Sequence, residues 1–207
     1  MSAWFTAPVL TGRLVRLEPL RTDHAPGLLA AADDPRVFAH LSVHRPMTPD
    51  DAERLVRDVL AARGARERLP FVQIDVREGR AVVAGTTSYY EIDPAQRSLA
   101  IGHTWLGRAW WRTGLNTESK LLLLGHAFER LGAVRVVWHT DVRNERSQAA
   151  IARLGAVREG VLRKHKKRKD GTWRDTVLFS MTDDEWPRAK ERLTARLHGE
   201  PVAGAHR

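Results

Sequence analysis

Leu106-Gly-Arg-Ala-Trp-Trp-Arg-Thr-Gly-Leu-Asn-Thr-Glu-Ser-Lys120 joins a strand-like run, Leu99 to Leu106, to a long apolar-periodic segment that ends near Leu131. The join passes through small, turn-prone residues around Gly107 and again at Gly114. A strand that feeds such a turn into a helix N-terminus leaves several backbone N–H groups unpaired, with the positive end of the helix dipole behind them. That arrangement suits an anion, and a phosphate above all. Downstream, Leu121, Leu124, Phe128 and Leu131 recur at helical spacing, and Leu122 and Leu123 widen the stripe, as expected of a helix packed on a sheet under further cover. Gly132 reads as its C-cap, and Val134 to Thr140 as a short strand. Strand, helix and strand in that order predict a crossover with parallel pairing.

Working outward, the N-terminal side opens with a loose arm over residues 1–9, where Trp4 and Phe5 can dock on the body or on a second copy. Leu10 to Leu20 alternates as one strand. A first helix is expected after Thr22, taken as its cap, and runs to about Ala32. A second is signalled by Thr48 as N-cap, Pro49 at the first helical position and Asp51 at the third, with Ala52, Leu55, Val56, Val59 and Leu60 on its apolar face. Phe71–Val76 and Val82–Glu91 flank a turn at Arg77–Arg80, so three antiparallel strands precede the join. On the C-terminal side Asn144 heads a helix over about Arg146–Leu154. Val157–His165 and Thr176–Met181 bracket the turn Lys169–Thr172 as a hairpin. Thr182-Asp-Asp-Glu185 forms a capping box for a last helix. The predicted fold is α/β (α+β): a mixed, mostly antiparallel sheet of about seven strands flanked by helices, with one parallel crossover and an extra C-terminal helix. One domain over residues 10–198 is expected, with a disordered tail over 199–207.

Composition narrows the function classes. Apolar residues make up 43% of the 207 and charged residues 29%, the balance of an ordinary folded protein. No apolar run approaches the roughly 20 residues that span a bilayer, and no secretory signal is evident, so a cytoplasmic location without membrane association is expected. With no cysteine, disulfides, thiolate nucleophiles and cysteine-ligated metals are excluded. The net charge of +9 favours polyanions without naming one.

Two signatures then narrow the reading. The first is Ile101-Gly-His-Thr-Trp105 followed by Trp111-Arg-Thr-Gly-Leu-Asn-Thr-Glu118. The second is Asn144-Glu-Arg-Ser-Gln-Ala-Ala-Ile-Ala-Arg-Leu-Gly-Ala156. In this order, and with Glu159–Arg163 and Asp170–Asp175, the chain resembles the GNAT superfamily of N-acetyltransferases over residues 10–197, most of all the branch that acetylates the N-termini of ribosomal proteins. The resemblance implies acetyl-CoA as co-substrate, no metal, and an amine acceptor, either a small molecule or a protein N-terminus. It places the pantetheine arm along the backbone of Thr104, Trp105 and Leu106. It places the diphosphate on Trp111, Arg112, Thr113, Gly114, Leu115, Asn116 and Thr117, and assigns Asn144 and Ser147 to the cofactor. This chain departs from the family at four positions: Trp111 stands where many relatives have Arg or Gln, Asn116 where they have Gly or Ala, Ile151 where a tyrosine often protonates the leaving thiolate, and Ala100 where many carry a glutamate.

The chemistry implied is direct attack by a neutral amine in a ternary complex. A base must take the amine's proton, and His103, on the strand beside the acetyl position, has the right ordinary pKa; the plainer role for it is a strand histidine facing a neighbour. Ser147, one turn after Asn144, can donate to the thiolate or simply start a helix. Glu118, in the first turn after the cradle, would repel a phosphate and is expected to satisfy backbone instead; Glu91 and Asp141, at strand ends, are further acceptors of a proton. The basic run Arg163–Lys169 is either the solvated end of a hairpin or an anion patch. In the latter case the alternative is a non-catalytic GNAT-like domain that binds RNA or a ribosomal partner there. A different acyl donor and a homodimer are further possibilities at this level.

Overall fold

The computed structural model describes residues 2–199. Eight strands form one sheet: β1 (Leu10–Thr11), β2 (Val15–Pro19), β3 (Arg68–Asp75), β4 (Val82–Asp93), β5 (Ser98–Leu106), β6 (Arg135–Asp141), β7 (Val157–Lys167) and β8 (Trp173–Thr182). Their spatial order is β1-β2-β3-β4-β5-β6-β8-β7, and β5–β6 is the parallel pair in an otherwise antiparallel array. Five helices accompany it: α1 (Ala25–Ala31), α2 (Pro49–Gly64), α3 (Leu115–Gly125), α4 (Glu145–Ala152) and α5 (Trp186–His198). The expected crossover is the β5–α3–β6 unit.

The sheet is covered on both faces, and each face has its own core. On one side Leu115, Leu123 and Leu124 of α3 and Leu193 of α5 pack with Phe71, Tyr89 and Met181 of the strands. On the other, Leu28 of α1 and Val56 of α2 pack with Val72, Ile74 and Trp105. Each of these fully buried leucines contributes roughly 2 kcal/mol by area removed from water. The start of α2 follows its sequence: the Thr48 hydroxyl accepts from the Asp51 N–H at 3.2 Å, and the Asp51 carboxylate accepts from the N–H groups of Met47 and Thr48, each at 3.1 Å.

Several expectations are revised. Leu10–Leu20 is two strands, folded back at Gly12–Leu14, so the sheet has eight strands rather than about seven. The cause is tertiary, and lies with Glu118 below. Thr22 does not cap α1: a 3-10 turn over Thr22–His24 comes first, and it is the His24 imidazole that accepts from the Arg21 N–H, at 3.1 Å. The helix predicted to Leu131 is α-helical to Gly125 and widens into a π turn over His126–Arg130. At that point the buried Tyr89 hydroxyl donates to the Leu123 carbonyl at 2.5 Å, a side chain drawing on the helical ladder. The Thr182–Glu185 box is half formed, with Glu185 accepting from the Thr182 N–H at 2.9 Å before α5 starts at Trp186. Within the expected arm, Ala3–Phe5 form a 3-10 turn and Trp4 packs on the core. The expected tail lies, beyond Gly199, outside the described residues.

Candidate active site

The site begins where β5 and β6 part. Their pairing covers Ser98–Ala100 against Arg135–Val137, and the edge from Ile101 to Leu106 has no strand beside it on the β6 side. A bulge shapes that edge. Gly102 pairs with Ser88 and Trp105 with Thr86, so His103 and Thr104 together oppose the single residue Thr87. His103 takes a left-handed backbone, φ 50°, which few non-glycine residues adopt. The extra residue splits the side chains. Gly102 and His103 both lie against Tyr90, and Trp105 reaches Phe38 on the same face. Thr104 points to the opposite face, where its hydroxyl meets Thr87 at 2.9 Å.

The cradle follows β5. Gly107 is required by close approach, since a Cβ there would sit 2.4 Å from the Ala31 carbonyl oxygen. Gly114 is the N-cap of α3 with φ 81°, so its glycine is required by the left-handed turn itself. No side chain caps α3, and the first helical bond runs from the Glu118 N–H to the Gly114 carbonyl. The N–H groups of Leu115, Asn116 and Thr117 are therefore without helical partners. Beside them the Asn116 side-chain oxygen is buried with no hydrogen-bond partner. Arg112 is exposed, and Thr113 turns its hydroxyl back to the Trp110 carbonyl at 2.8 Å. Trp111 turns its indole N–H inward, donating to the Leu106 carbonyl at 3.0 Å. The Trp105 carbonyl also has a protein donor, the Gln73 amide at 3.2 Å. Of the three residues assigned to pantetheine, then, two carbonyls already accept bonds within the protein.

Across the opening, α4 starts at the Asn144 cap, whose side-chain oxygen accepts from the Ser147 N–H at 3.1 Å. Ser147 is half-buried, and its hydroxyl has no protein partner among the described residues. Ile151 is buried in the core, so no hydroxyl replaces the absent tyrosine at that position. Arg146 of α4 stacks on the Trp111 ring at 3.7 Å, and Arg108 stacks on it at 4.8 Å. Two guanidinium groups thus converge on one indole beside the uncapped helix. An open strand edge, three free N–H groups, an orphaned buried amide oxygen and paired cations fit a phosphorylated, amide-bearing arm such as that of CoA.

The opposite face carries the titratable side chains. Tyr90 crosses beneath β5 at Gly102, where a Cβ would lie 2.7 Å from its ring, and its hydroxyl meets His139 Nδ1 of β6 at 2.9 Å. The His103 ring stands edge-on to Tyr90 at 5.0 Å, and His139 lies 5.8 Å from His165 of β7. Although solvent reaches the His103 ring, its concave surroundings and the cations Arg68, Lys166 and Arg174 hold its pKa well below the ordinary value, so it is neutral near pH 7. Burial lifts the Tyr90 hydroxyl and lowers His139. None of these partners of His103 is visible as a motif in the sequence, because Arg68, Tyr90, Lys166 and Arg174 come from four separate strands.

Two buried charges on α3 sit next to these features. Glu118 accepts from the N–H groups of Arg13, Leu14 and Val15 at 3.0, 2.6 and 2.8 Å, which pins the β1–β2 turn. This is the backbone role expected of it. Lys120, fully buried, donates to the hydroxyls of Thr87 and Thr104 at 2.8 and 2.9 Å and meets no carboxylate among the described residues; burial pulls its pKa down to about 7. Asp141 is committed to Arg168, at 2.6 and 2.9 Å, and Glu91 lies 3.7 Å from His139 Nδ1 with half its side chain exposed. The basic run is therefore not uniform: Arg168 is paired, and Lys169 donates to the Phe38 and Val43 carbonyls at 2.8 and 3.3 Å. Among the described residues no group of three or more His, Asp or Glu side chains is placed to hold a metal, and no helix is long and apolar enough to cross a membrane.

Known proteins share this fold. The chain superposes on the crystal structure of a candidate acetyltransferase from T. thermophilus with a TM-score of 0.83, at 41% identity over 95% of this chain and 100% of that one. A GCN5-related N-acetyltransferase from Brucella melitensis gives 0.87, at 32% identity over 97% and 91%. YdaF of Bacillus subtilis (strain 168), named as a candidate ribosomal N-acetyltransferase, is 30% identical over 109 residues, so the match spans 50% of this chain and 56% of that relative's length. Residues 14–157 match the model of the acetyltransferase (GNAT) domain, which contains the parted strands, the cradle and α4 together. With that match over most of the sheet, the chain belongs to the GNAT acetyltransferase family.

Proposed function

We propose that this protein is an acetyl-CoA-dependent N-acetyltransferase that acetylates a primary amine in a ternary complex. One observation carries the reading: the unpaired edge Ile101–Leu106 opens directly beside an uncapped helix N-terminus. CoA would be held by that edge, by the N–H groups of Leu115, Asn116 and Thr117, by the Arg108–Trp111–Arg146 stack, and by Asn144 and Ser147 at the head of α4. The bound acetyl thioester supplies an activated carbonyl. A new C–N bond forms as the C–S bond breaks, and the thiol leaves with a proton equivalent to the one lost by the amine.

The residues of this chain have separable tasks. His103, neutral near pH 7, can accept the amine's proton at a ring nitrogen, but its concave surroundings and the cations around it make it a weak base, so it passes the proton on to solvent rather than holding it. The Ser147 hydroxyl, without a protein partner, donates toward the departing sulfur. The bulge at His103–Thr104 aims backbone at the acceptor side of the edge, and positioning of the two reactants supplies much of the acceleration. Calorimetry with CoA, and thiol release from acetyl-CoA over a panel of amines, test the reading. Binding of CoA with amine-dependent release is the expected result; folded protein that binds no CoA overturns it.

A further inference from the structure

On the His103 face, a small cavity of about 30 Å³ lies between β3–β5 and the α1–α2 layer. Its walls are apolar, with Leu28, Leu41, Val43, Leu55, Val56 and Val59 among them, and its polar floor is Arg68, Thr86 and His103. Arg68 is the unusual member. Its Nε donates to the Ser88 hydroxyl at 2.7 Å, which fixes the plane of the guanidinium, and it has no other hydrogen bond and no ion pair among the described residues. Burial alone pulls its pKa down to about 10. Arg68 is half-buried, so its terminal nitrogens still meet solvent, and an anion that displaced that water would pair with a partly desolvated charge. The terminal nitrogens left free form the planar fork that matches a carboxylate in two parallel bonds.

The charge around the recess points the same way. Arg174 of β8, whose Nε is buried without a partner, and Lys166 of β7 act electrostatically on His103, although neither lines the recess, and neither has an ion pair among the described residues. The nearby carboxylates are Asp141, already paired with Arg168, and the half-exposed Glu91 beside His139. A purely cationic acceptor would meet excess positive charge here, whereas an acceptor with one negative group would balance it. A phosphate would call for more donors than one guanidinium supplies.

We propose that the amine acceptor carries a carboxylate, held in the recess by the free end of Arg68, with its amine directed to His103 and a small apolar side chain outside the recess against its half-exposed rim, Leu41, Val43 and Leu55. This rests on the acetyltransferase reading and narrows the acceptor to small amino-acid-like amines rather than protein N-termini.

The test compares, with acetyl-CoA, the common amino acids, their amides, their decarboxylated amines and short peptides, following thiol release. At least one apolar amino acid should exceed its own amide and amine thirtyfold or more in kcat/KM. Arg68→Gln should raise KM for that amino acid tenfold or more, change kcat less than threefold, and reduce the preference over the amide to a few-fold. Arg68→Lys should fall between, and calorimetry should give unchanged CoA affinity for both variants. Amides, amines or peptides acetylated as well as amino acids by the wild type overturn the proposal, as does an Arg68 variant that weakens charged and uncharged acceptors alike. Should Arg68→Gln fail to fold, the wild-type preference and Arg68→Lys decide. Absence of CoA binding, or of release with every amine, is a different result and sinks the acetyltransferase reading itself.

Discussion

The two sides of the parted strands are built from different materials. The side proposed for the donor is mostly backbone: a strand edge without a neighbour and the first N–H groups of α3, with Trp111 and its two arginines closing the rim. The side proposed for the acceptor is mostly side chains, His103, Tyr90, His139, Arg68 and Arg174, each delivered by a different strand. Backbone recognition tolerates sequence change as long as the turn and the helix start persist. Side-chain recognition changes with a single substitution, which is how one scaffold can keep its donor while its acceptor varies. The two buried charges of α3 repeat the contrast: Glu118 is saturated by backbone N–H groups, and Lys120 rests on two hydroxyls alone.

The strongest way to break the contrast is at Glu118. Glu118→Ala removes the acceptor of the Arg13, Leu14 and Val15 N–H groups, the last of them buried, and a loss of about 3 kcal/mol in chemical denaturation is expected. Gln, which keeps one acceptor oxygen, should lose less. A loss below about 0.5 kcal/mol would show that water reaches this turn.

Lys120 gives the next effect, with the opposite sign. Its folded pKa, about 7, lies below the unfolded value near 10.5, so between those pH values the unfolded chain binds more protons. Stability conferred by wild-type Lys120 should therefore rise as pH increases from 7 to 10.5. Lys120→Met should remove this rise and add on the order of 2 kcal/mol below pH 7. Parallel stability–pH curves for the two proteins would refute the buried, unpaired ammonium.

At the rim, Trp111→Leu removes the indole N–H from the Leu106 carbonyl and the platform under Arg108 and Arg146. CoA affinity measured by calorimetry should fall about tenfold, or about 1.4 kcal/mol, with the acceptor preference unchanged. The smallest effect is expected at Gly114→Ala, where the φ of 81° makes any side chain cost about 1 kcal/mol. That loss should appear in stability and in CoA affinity together, because the strained residue is the cap of the cradle helix.

Much of the architecture is legible in the sequence. Thr48-Pro49 starts α2, Gly107 and Gly114 bound the cradle, Asn144 starts α4, and the strand–helix–strand order yields the one parallel pair. These are local facts: caps, turns and periodicity involve residues a few positions apart, so neighbours in sequence carry the information. The division of Leu10–Leu20 into β1 and β2 is not legible, because the carboxylate that folds it back is more than a hundred residues away at Glu118. Nor is Tyr90 as the bridge from β4 to β6, although the Tyr89-Tyr90 pair in a strand has to send one ring to each face.

By itself, then, the sequence determined the starts of α2 and α4, the strand–helix–strand crossover and the turn that leaves the α3 N-terminus uncapped, since each depends on backbone geometry set by nearby residues. The tertiary structure alone decided where β5 leaves β6, that Lys120 is buried without a counter-charge, and that Arg68, Arg174 and Lys166 surround His103. Those outcomes depend on residues brought together from separate strands, where packing sets which charges are desolvated and which partners they meet.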